Sequence, residues 1–353
     1  MRSFLPEFAA MILAFCAAAG IAAALGYAFI PWLHKLKFGQ TILDIGPSWH
    51  KHKQGIPTMG GLMFIIGVPT ALLVAFLANL LRGGNLLESG GTPGKLVAGL
   101  LMALLCALMG FLDDYVKVVK KRNKGLSITQ KSVMQILIYL GYLVSLVLSF
   151  PGHRPTTLIP FVGEIAMPGW LFMIFGFTVL YCATNAVNFT DGVDGLCSSV
   201  TVTAAAALAV IAAMRGMFGA GAMASALAGG CAGFLVWNRN PAKVIMGDTG
   251  SMFLGGMLVA ICFALNCPAI LLLVGLVYVL EGLSDVLQIG YFKLTHGKRI
   301  FKMAPIHHHF EMSGWSEKKV VAVFTLINIL GAAAGVAVFY AGLKFAVIPQ
   351  WGT

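Results

Sequence analysis

Charged residues are scarce in this sequence: Asp, Glu, Lys and Arg together make up 10% of its 353 residues. Soluble domains carry roughly 25% charged residues, which keep their surfaces in contact with water. Hydrophobic residues make up 59% of the chain, and the mean hydropathy is +0.88. This balance excludes an ordinary water-soluble fold. It predicts an all-α, polytopic integral membrane protein with one transmembrane domain over residues 1–353.

Metal-binding cysteine motifs and nucleic-acid modules are also lacking. The seven cysteines lie in or beside apolar runs without C-x-x-C or Cys/His spacing, so we interpret them as small buried residues. The formal net charge is +11, but the chain has neither a basic–aromatic module nor a basic tail, so we expect no nucleic-acid partner. In a membrane protein such an excess belongs to cytoplasmic loops that face anionic membrane lipid.

Long apolar runs predict ten transmembrane helices, because a hydrocarbon core about 30 Å thick needs roughly 20 apolar residues per helix. The runs cover residues 8–33, 59–81, 96–112, 133–150, 170–187, 196–214, 217–237, 251–265, 269–292 and 320–342. The ninth run contains Glu281 and Asp285, which indicates a helix that breaks or lines a cavity. An interhelical hydrogen bond is an equally good interpretation of Glu281. The Pro/Gly segment 151–169 permits a small external hairpin.

The basic residues fall mostly on one side of these ten spans. If the spans alternate in direction, eighteen of the 24 Lys and Arg residues lie in the loops of one side. Those loops cover residues 34–58, 113–132, 238–250 and 293–319. By the positive-inside rule these loops are cytoplasmic, and both termini are on the external side.

Five of the thirteen acidic residues lie at helix ends on the predicted cytoplasmic side. Asp113 and Asp114 close the third span, Asp191 and Asp194 follow the fifth, and Asp248 opens the eighth. Clustered carboxylates repel one another unless a cation neutralises them, and such hard oxygen ligands suit Mg²⁺ with substrate phosphates. Together with the basic loops, they indicate phosphoryl transfer at the cytoplasmic face.

Simpler structural roles are open for each acidic group. Asn185, Asn188, Asp191 and Asp194 are three residues apart, a spacing that keeps neighbours close to one helix face, and they can satisfy backbone donors at a helix end. The pair 113–114 can be a solvated helix end, and Asp248 can be an N-cap of the eighth helix. Only the predicted convergence of these groups favours a functional site.

Three consecutive histidines, His307, His308 and His309, lie in the last cytoplasmic loop. Successive side chains on a helix point about 100° apart, so one metal ion cannot readily take all three. We interpret them as contacts to a phosphate or a sugar.

Five motifs in this order resemble the polyprenyl-phosphate N-acetylhexosamine-1-phosphate transferases. They are Pro57–Gly61, Phe111–Lys117, Asn185–Leu196, Met246–Ser251 and Pro305–Glu311. The last motif is similar to that of the branch whose donor is UDP-N-acetylmuramoyl-pentapeptide. The resemblance implies a Mg²⁺-dependent enzyme of the bacterial plasma membrane. It would transfer phospho-N-acetylmuramoyl-pentapeptide to undecaprenyl phosphate, with release of UMP, in peptidoglycan synthesis, and the family suggests a homodimer.

The resemblance also implies roles for individual residues. Asp113, Asp114 and Asp248 match catalytic positions, and Asp248 matches the metal ligand. The substrate-binding positions are Lys53, Thr58, Lys117, Lys121, Lys131, Asn188, Asp191, Asp194, Gly247, Gln288, His307, His308 and His309. Ile245 departs from the aromatic residue of some relatives, which leaves the packing on uracil open. Direct attack by the lipid phosphate and an aspartyl-phosphate intermediate are both open.

Two other functions compete with this one. A UDP-GlcNAc polyprenyl-phosphate GlcNAc-1-phosphate transferase belongs to the same family, but the histidine run disfavours it. A cation-coupled transporter would carry ionisable residues near the membrane midplane and often a repeat between its halves. In this sequence the carboxylates gather towards one face, apart from Glu281 and Asp285, and we detect no repeat.

Overall fold

The structure, a computed structural model, describes residues 5–36, 55–84, 86, 93–120, 125–150 and 154–344. In this part of the chain nine helices are long and apolar enough to cross a membrane, or ten if a sharply bent pair counts as one span. The all-α, polytopic membrane architecture predicted from the apolar runs is therefore confirmed.

The helices are α1 (Leu5–Lys35), α2 (Leu62–Leu81), α3 (Pro93–Val119), α4 (Ile128–Leu148), α5 (Gly169–Phe189), α6 (Leu196–Met214), α7 (Phe218–Asn238), α8 (Gly247–Ala264), α9 (Leu271–Val274), α10 (Leu276–Leu294), α11 (Ile306–Glu311) and α12 (Glu317–Lys344). A 3₁₀ turn, Pro268–Ile270, precedes α9. Strands β1 (Thr156–Ile159) and β2 (Gly163–Ala166) pair antiparallel, which confirms the small hairpin predicted for segment 151–169.

The ninth predicted span is broken, as expected, but the break lies before its acidic residues. Segments Pro268–Val274 and Leu276–Leu294 meet at an angle of 90°. At the break, Asn328 of α12 accepts a hydrogen bond from the backbone N–H of Val277 and donates one to the carbonyl of Val274. A side chain thus satisfies backbone groups that the interrupted helix leaves unpaired, as an apolar environment requires.

Two helices extend beyond their apolar runs, which corrects the predicted positions of three charged residues. Helix α3 continues to Val119, so Asp113 and Asp114 lie inside the helix rather than at its end. Helix α4 begins at Ile128, because Ser127 and Gln130 form a capping box there. Lys131 therefore lies in the first turn of α4 and not in a loop. Hydropathy misses both extensions, since the added turns contain charged residues.

Helices α7 and α8 form the enclosed centre of the bundle. Every residue from 249 to 264 in α8 is buried. Gly229 and Gly233 of α7, four residues apart, allow α1 to approach closely, because an added Cβ would overlap the carbonyl oxygen of Phe15 or Ala19.

This packing predicts that Gly233→Ala destabilises the bundle. The added methyl group forces α1 and α7 apart, and such overpacking costs about 1–3 kcal/mol in the free energy of unfolding. The measurement is the midpoint of thermal unfolding in detergent. Gly20→Ala on α1 is the matched control, because nothing lies within 4 Å of a Cβ there. An equal loss in both variants would contradict the packing argument.

Candidate active site

Three aspartates from two helices meet at the end of the bundle opposite the β-hairpin. One carboxylate oxygen from each of Asp113, Asp114 and Asp248 lies within 4.8 Å of the other two. The side chains of Asp113 and Asp114 are 1% and 3% exposed, whereas that of Asp248 is 21% exposed. The cluster is therefore buried on the α3 side and open on the α8 side.

The cluster depends on a close approach of α3 to the first turn of α8. An added Cβ at Gly110, one turn before Asp114, would overlap the backbone carbonyl of Asp248. The backbone N–H and the hydroxyl of Thr249 both donate to Asp114 Oδ2, at 2.9 and 2.7 Å. The first turn of a helix has unpaired N–H groups and a positive dipole end, so it stabilises a carboxylate.

The structure corrects the N-cap interpretation of Asp248. Helix α8 begins at Gly247, so the N-cap position is Met246, and Asp248 is the second helical residue. Its Oδ1 accepts a hydrogen bond from Asn188 Nδ2 at 3.2 Å, and the same amide group donates to Ser251 Oγ at 2.8 Å. Asp248 is thus directed to the other side chains of the site.

Two lysines bridge the three carboxylates. Lys117 Nζ lies 2.7 Å from Asp113 Oδ2, 3.5 Å from Asp114 Oδ1 and 3.2 Å from Asp248 Oδ2. Lys131 Nζ lies 3.1 Å from Asp113 Oδ1 and 2.8 Å from Asp248 Oδ2. Three carboxylates against two ammonium groups leave one formal negative charge. The cluster therefore has the oxygen donors and the charge to bind a metal ion.

The motif at residues 57–61 packs directly against the motif at 246–251. The backbone N–H groups of Gly60 and Gly61 donate to the carbonyls of Ile245 and Met246. Gly247 has a positive φ of 73°, and a Cβ there would overlap Asp114 Oδ2 and approach Thr58 Oγ1. Thr58 and Gly247 therefore lie at the edge of the aspartate cluster. Lys53 and Lys121 lie outside the described residues.

Of the five carboxylates that the sequence predicts to converge, three form the cluster and two lie in the turn between α5 and α6. Asp194 Oδ2 accepts hydrogen bonds from the backbone N–H of Ala242 at 2.9 Å and from Asn240 Nδ2 at 3.3 Å. It thereby holds the α7–α8 loop. Asp191 is half-buried in the same turn. Their substrate-binding roles stay predictions.

The three histidines have three different partners, as their spacing on a helix predicts. His307 Nδ1 lies 3.0 Å from Glu281 Oε2, and His308 Nδ1 lies 2.7 Å from Glu311 Oε2. His309 Nδ1 accepts a hydrogen bond from the backbone N–H of Lys302.

Gln288 of α10 supports the loop that leads to these histidines. Its Oε1 accepts hydrogen bonds from the backbone N–H groups of Ile300 and Phe301, and its Nε2 donates to the carbonyl of Phe301. The resemblance implied a substrate contact for Gln288, and that role stays a prediction.

Sequence reasoning missed Gly110, Thr249 and Leu126 as parts of the site. Leu126 donates its backbone N–H to Asp113 Oδ1 at 2.7 Å. Thr249 lies within the motif 246–251, where its position between Asp248 and Gly250 was a signal. Gly110 is one glycine within an apolar run, so nothing in the sequence marked it as the contact point between α3 and α8.

Comparison with known proteins shows which class of membrane protein this chain resembles. Residues 96–266 match the model of glycosyl transferase family 4, which together with the membrane spans of the described residues indicates a membrane-bound transferase. Residues 53–65 match signature 1 of the phospho-N-acetylmuramoyl-pentapeptide-transferases.

Curated relatives narrow this class to one family. Phospho-N-acetylmuramoyl-pentapeptide-transferases of Listeria welshimeri and Listeria monocytogenes serovar 1/2a are each 47% identical over 310 residues, which cover 88% of this chain and 92% of theirs. The transferase of Acetivibrio thermocellus is 45% identical over 324 residues, or 91% of this chain and 92% of its own. The chain therefore belongs to the phospho-N-acetylmuramoyl-pentapeptide-transferase family.

The close approach of α3 and α8 predicts that Gly110→Ala inactivates the site. The methyl group displaces α8 from Asp113 and Asp114, so we expect turnover to fall at least about tenfold, as a 1 Å misplacement can. The measurement is transferase activity per folded molecule, with thermal unfolding beside it. Gly99→Ala is the matched control, since a Cβ there meets Ala260 in the same helix pair, about three turns from the cluster. Equal losses of activity would contradict this role.

Proposed function

We propose that this protein transfers phospho-N-acetylmuramoyl-pentapeptide from its UDP-activated form to undecaprenyl phosphate. The products are undecaprenyl-diphospho-N-acetylmuramoyl-pentapeptide (lipid I) and UMP, in the first membrane step of peptidoglycan synthesis. The observation that carries the proposal is the cluster of Asp113, Asp114 and Asp248 with two lysines, in a chain of this family. A donor in water and an acceptor in lipid require a site near the membrane surface, where we propose that this end of the bundle lies.

The residues of the cluster fit Mg²⁺. Asp113, Asp114 and Asp248 offer one hard oxygen each, and Asp248 is the most exposed of the three. We therefore propose Asp248 as the principal ligand, with Asp113 and Asp114 beside it. When bound, Mg²⁺ would offset the negative charge of the diphosphate that is transferred and released.

The side chains of the cluster suggest an order of events for direct transfer. Lys117 and Lys131 are 32% and 36% exposed, so they are the groups that incoming phosphates contact first. The lipid phosphate is largely anionic near pH 7, since a phosphate monoester has a second pKa of about 6. Asp113 orients it and takes any residual proton. A lipid phosphate oxygen then attacks the β-phosphorus, the bond from this phosphorus to the bridging oxygen breaks, and UMP leaves.

The remaining assignments are proposals on the same basis. We propose that the basic loops are cytoplasmic, that both termini are external, and that the chain is one ten-helix domain in the bacterial plasma membrane. We also propose a homodimer. The donor-binding set comprises Lys53, Thr58, Asn188, Asp191, Asp194, Gly247, Gln288, His307, His308 and His309, and Lys117, Lys121 and Lys131 contact phosphate.

The proposed function predicts Mg²⁺-dependent UMP release by the purified protein from UDP-N-acetylmuramoyl-pentapeptide and undecaprenyl phosphate in detergent. Asp248→Asn removes the charge of the principal ligand, so we expect turnover to fall at least about a thousandfold, a loss typical of essential catalytic groups. His308→Ala should raise KM for the nucleotide donor. Glu164→Gln on β2, at the opposite end of the bundle, is the control and should leave both parameters unchanged.

Other outcomes of this assay would redirect the proposal. Release from UDP-GlcNAc instead would favour the GlcNAc-1-phosphate transferase. No release from either donor, with the lipid verified present, would favour the transporter. With the donor alone, the direct route predicts no burst of UMP, whereas a burst equal to the enzyme concentration would establish an aspartyl-phosphate route.

The charge balance of the cluster predicts that Lys131→Met tightens Mg²⁺ binding in the absence of substrates. The lysine contributes a positive charge 2.8 Å from Asp248 Oδ2, where it competes with a metal ion. We expect affinity to increase about tenfold, which corresponds to ~1.4 kcal/mol, while turnover falls because a phosphate contact is lost. Isothermal titration calorimetry measures the affinity. Lys293→Met at the end of α10 is the control. If Lys131→Met bound Mg²⁺ with the same affinity as wild type, Lys131 would not compete with the metal ion.

A further inference from the structure

We propose that Glu281 is a positioning residue for the nucleotide donor. It fixes the imidazole of His307, and this imidazole supports the α5–α6 turn, which we define as residues 190–195. The inference rests on the proposed function, because it concerns the donor of that reaction. It goes beyond that function because it assigns a role to Glu281, a residue of the broken ninth span. Glu281 is fully buried and contacts His307 rather than the aspartate cluster.

The pair that carries this inference is completely buried. The side chains of Glu281 and His307 are both 0% exposed, and Glu281 Oε2 lies 3.0 Å from His307 Nδ1. The backbone N–H of His307 also lies 3.5 Å from this oxygen. A buried carboxylate without a partner is costly, so the pair holds α11 against α10 across the loop between them.

The contact also determines which ring nitrogen of His307 carries the proton. A carboxylate accepts a hydrogen bond, so His307 Nδ1 is the donor in this contact. His307 Nε2 is buried, and the described residues provide no hydrogen-bond partner for it. Glu281 therefore sets both the position and the rotation of the ring.

The far edge of the ring lies against Gly192 in the α5–α6 turn. A Cβ added at Gly192 would overlap His307 Nε2. The backbone of Gly192 does not have a positive φ, so its conformation is open to alanine. The close approach of the imidazole is what excludes a side chain here. The distance between α11 and the turn is thus set by direct contact of a ring with the backbone.

This turn connects two groups that we assign to the donor. It begins directly after α5, whose last turn contains Asn188, and Asn188 Nδ2 donates to Asp248 Oδ1. Near its end lies Asp194, which holds the α7–α8 loop through Ala242. A displaced His307 ring therefore shifts the donor side of the site, while α3 and α4, which carry the lysines of the cluster, are untouched.

The test compares KM for the two substrates in Glu281 variants. Glu281→Gln keeps an oxygen that accepts from Nδ1–H, whereas Glu281→Leu removes the acceptor. We expect Glu281→Leu to raise the donor KM about tenfold or more and to leave the undecaprenyl phosphate KM within about twofold, whereas Glu281→Gln stays within about threefold of wild type for both. Glu164→Leu on β2 is the matched control and should change neither KM.

A double-mutant cycle tests the contact between His307 and the turn. Gly192→Ala should raise the donor KM by a similar factor, because its methyl group displaces the ring. In a His307→Ala background the same change should have no further effect, since the ring is gone. If the methyl group instead clashed with the donor itself, its effect would persist in that background, and the proposed contact would be overturned.

The remaining outcomes decide between positioning and simple stabilisation. A lower unfolding temperature in Glu281→Leu with both KM values unchanged would overturn the proposal, and so would an equal rise in both. If Glu281→Leu does not fold, Glu281→Ala takes its place in the comparison of KM values, because it also removes the acceptor, and the Gly192–His307 cycle tests the contact with the turn. Failure of the proposed function is distinguishable, because wild-type protein would then release no UMP from the muramoyl-pentapeptide donor.

Discussion

Three carboxylates, two of them buried, can share one end of a helical bundle only if positive charge is brought to them. In this protein two lysines supply it, and much of the local structure follows from that need. Helix α3 continues two turns past its apolar run, which places Lys117 over Asp113 and Asp114. Helix α4 starts early, through its capping box, which brings Lys131 to Asp113 Oδ1 and Asp248 Oδ2. The ion pairs therefore depend on helical turns that a hydropathy analysis does not predict.

The second constraint is the unpaired backbone at the break in the ninth span. A break inside an apolar bundle is stable only where side chains replace the lost helical hydrogen bonds, and Asn328 does so on both sides of Gly275. After the 90° bend, α10 runs in a new direction. Glu281 therefore reaches His307, and Gln288 reaches the loop at residues 300–301. The break lies before the acidic residues of this span, so the bend determines their positions and does not depend on them.

The sequence predicted the parts of this fold that depend on composition and spacing. Ten apolar runs gave the helices, because burial in lipid requires length and hydrophobicity alone. Asp113, Asp114 and Asp248 were placed together correctly, since ionisable groups beside membrane-spanning segments usually line one polar site. The close approach at Gly110 and the imidazole against Gly192 were not predictable, because they depend on how helices distant in sequence pack. Asp194 was expected with the other carboxylates, yet its carboxylate is occupied by Ala242 and Asn240.

Under the proposed function the site has two parts, and the hydrogen bond from Asn188 to Asp248 joins them. Helices α3, α4 and α8 contribute the carboxylates and lysines, whose charges suit any diphosphate sugar. Under the proposed function, α5, α10 and α11 would contribute the other part, which contains an amide, histidines and buried acids, each held by a specific hydrogen-bond partner. Charge at close range discriminates little between donors, whereas a buried polar group left unpaired by the wrong ligand discriminates strongly. Under the proposed function, donor choice would therefore change through the histidine segment while the charge cluster stays the same.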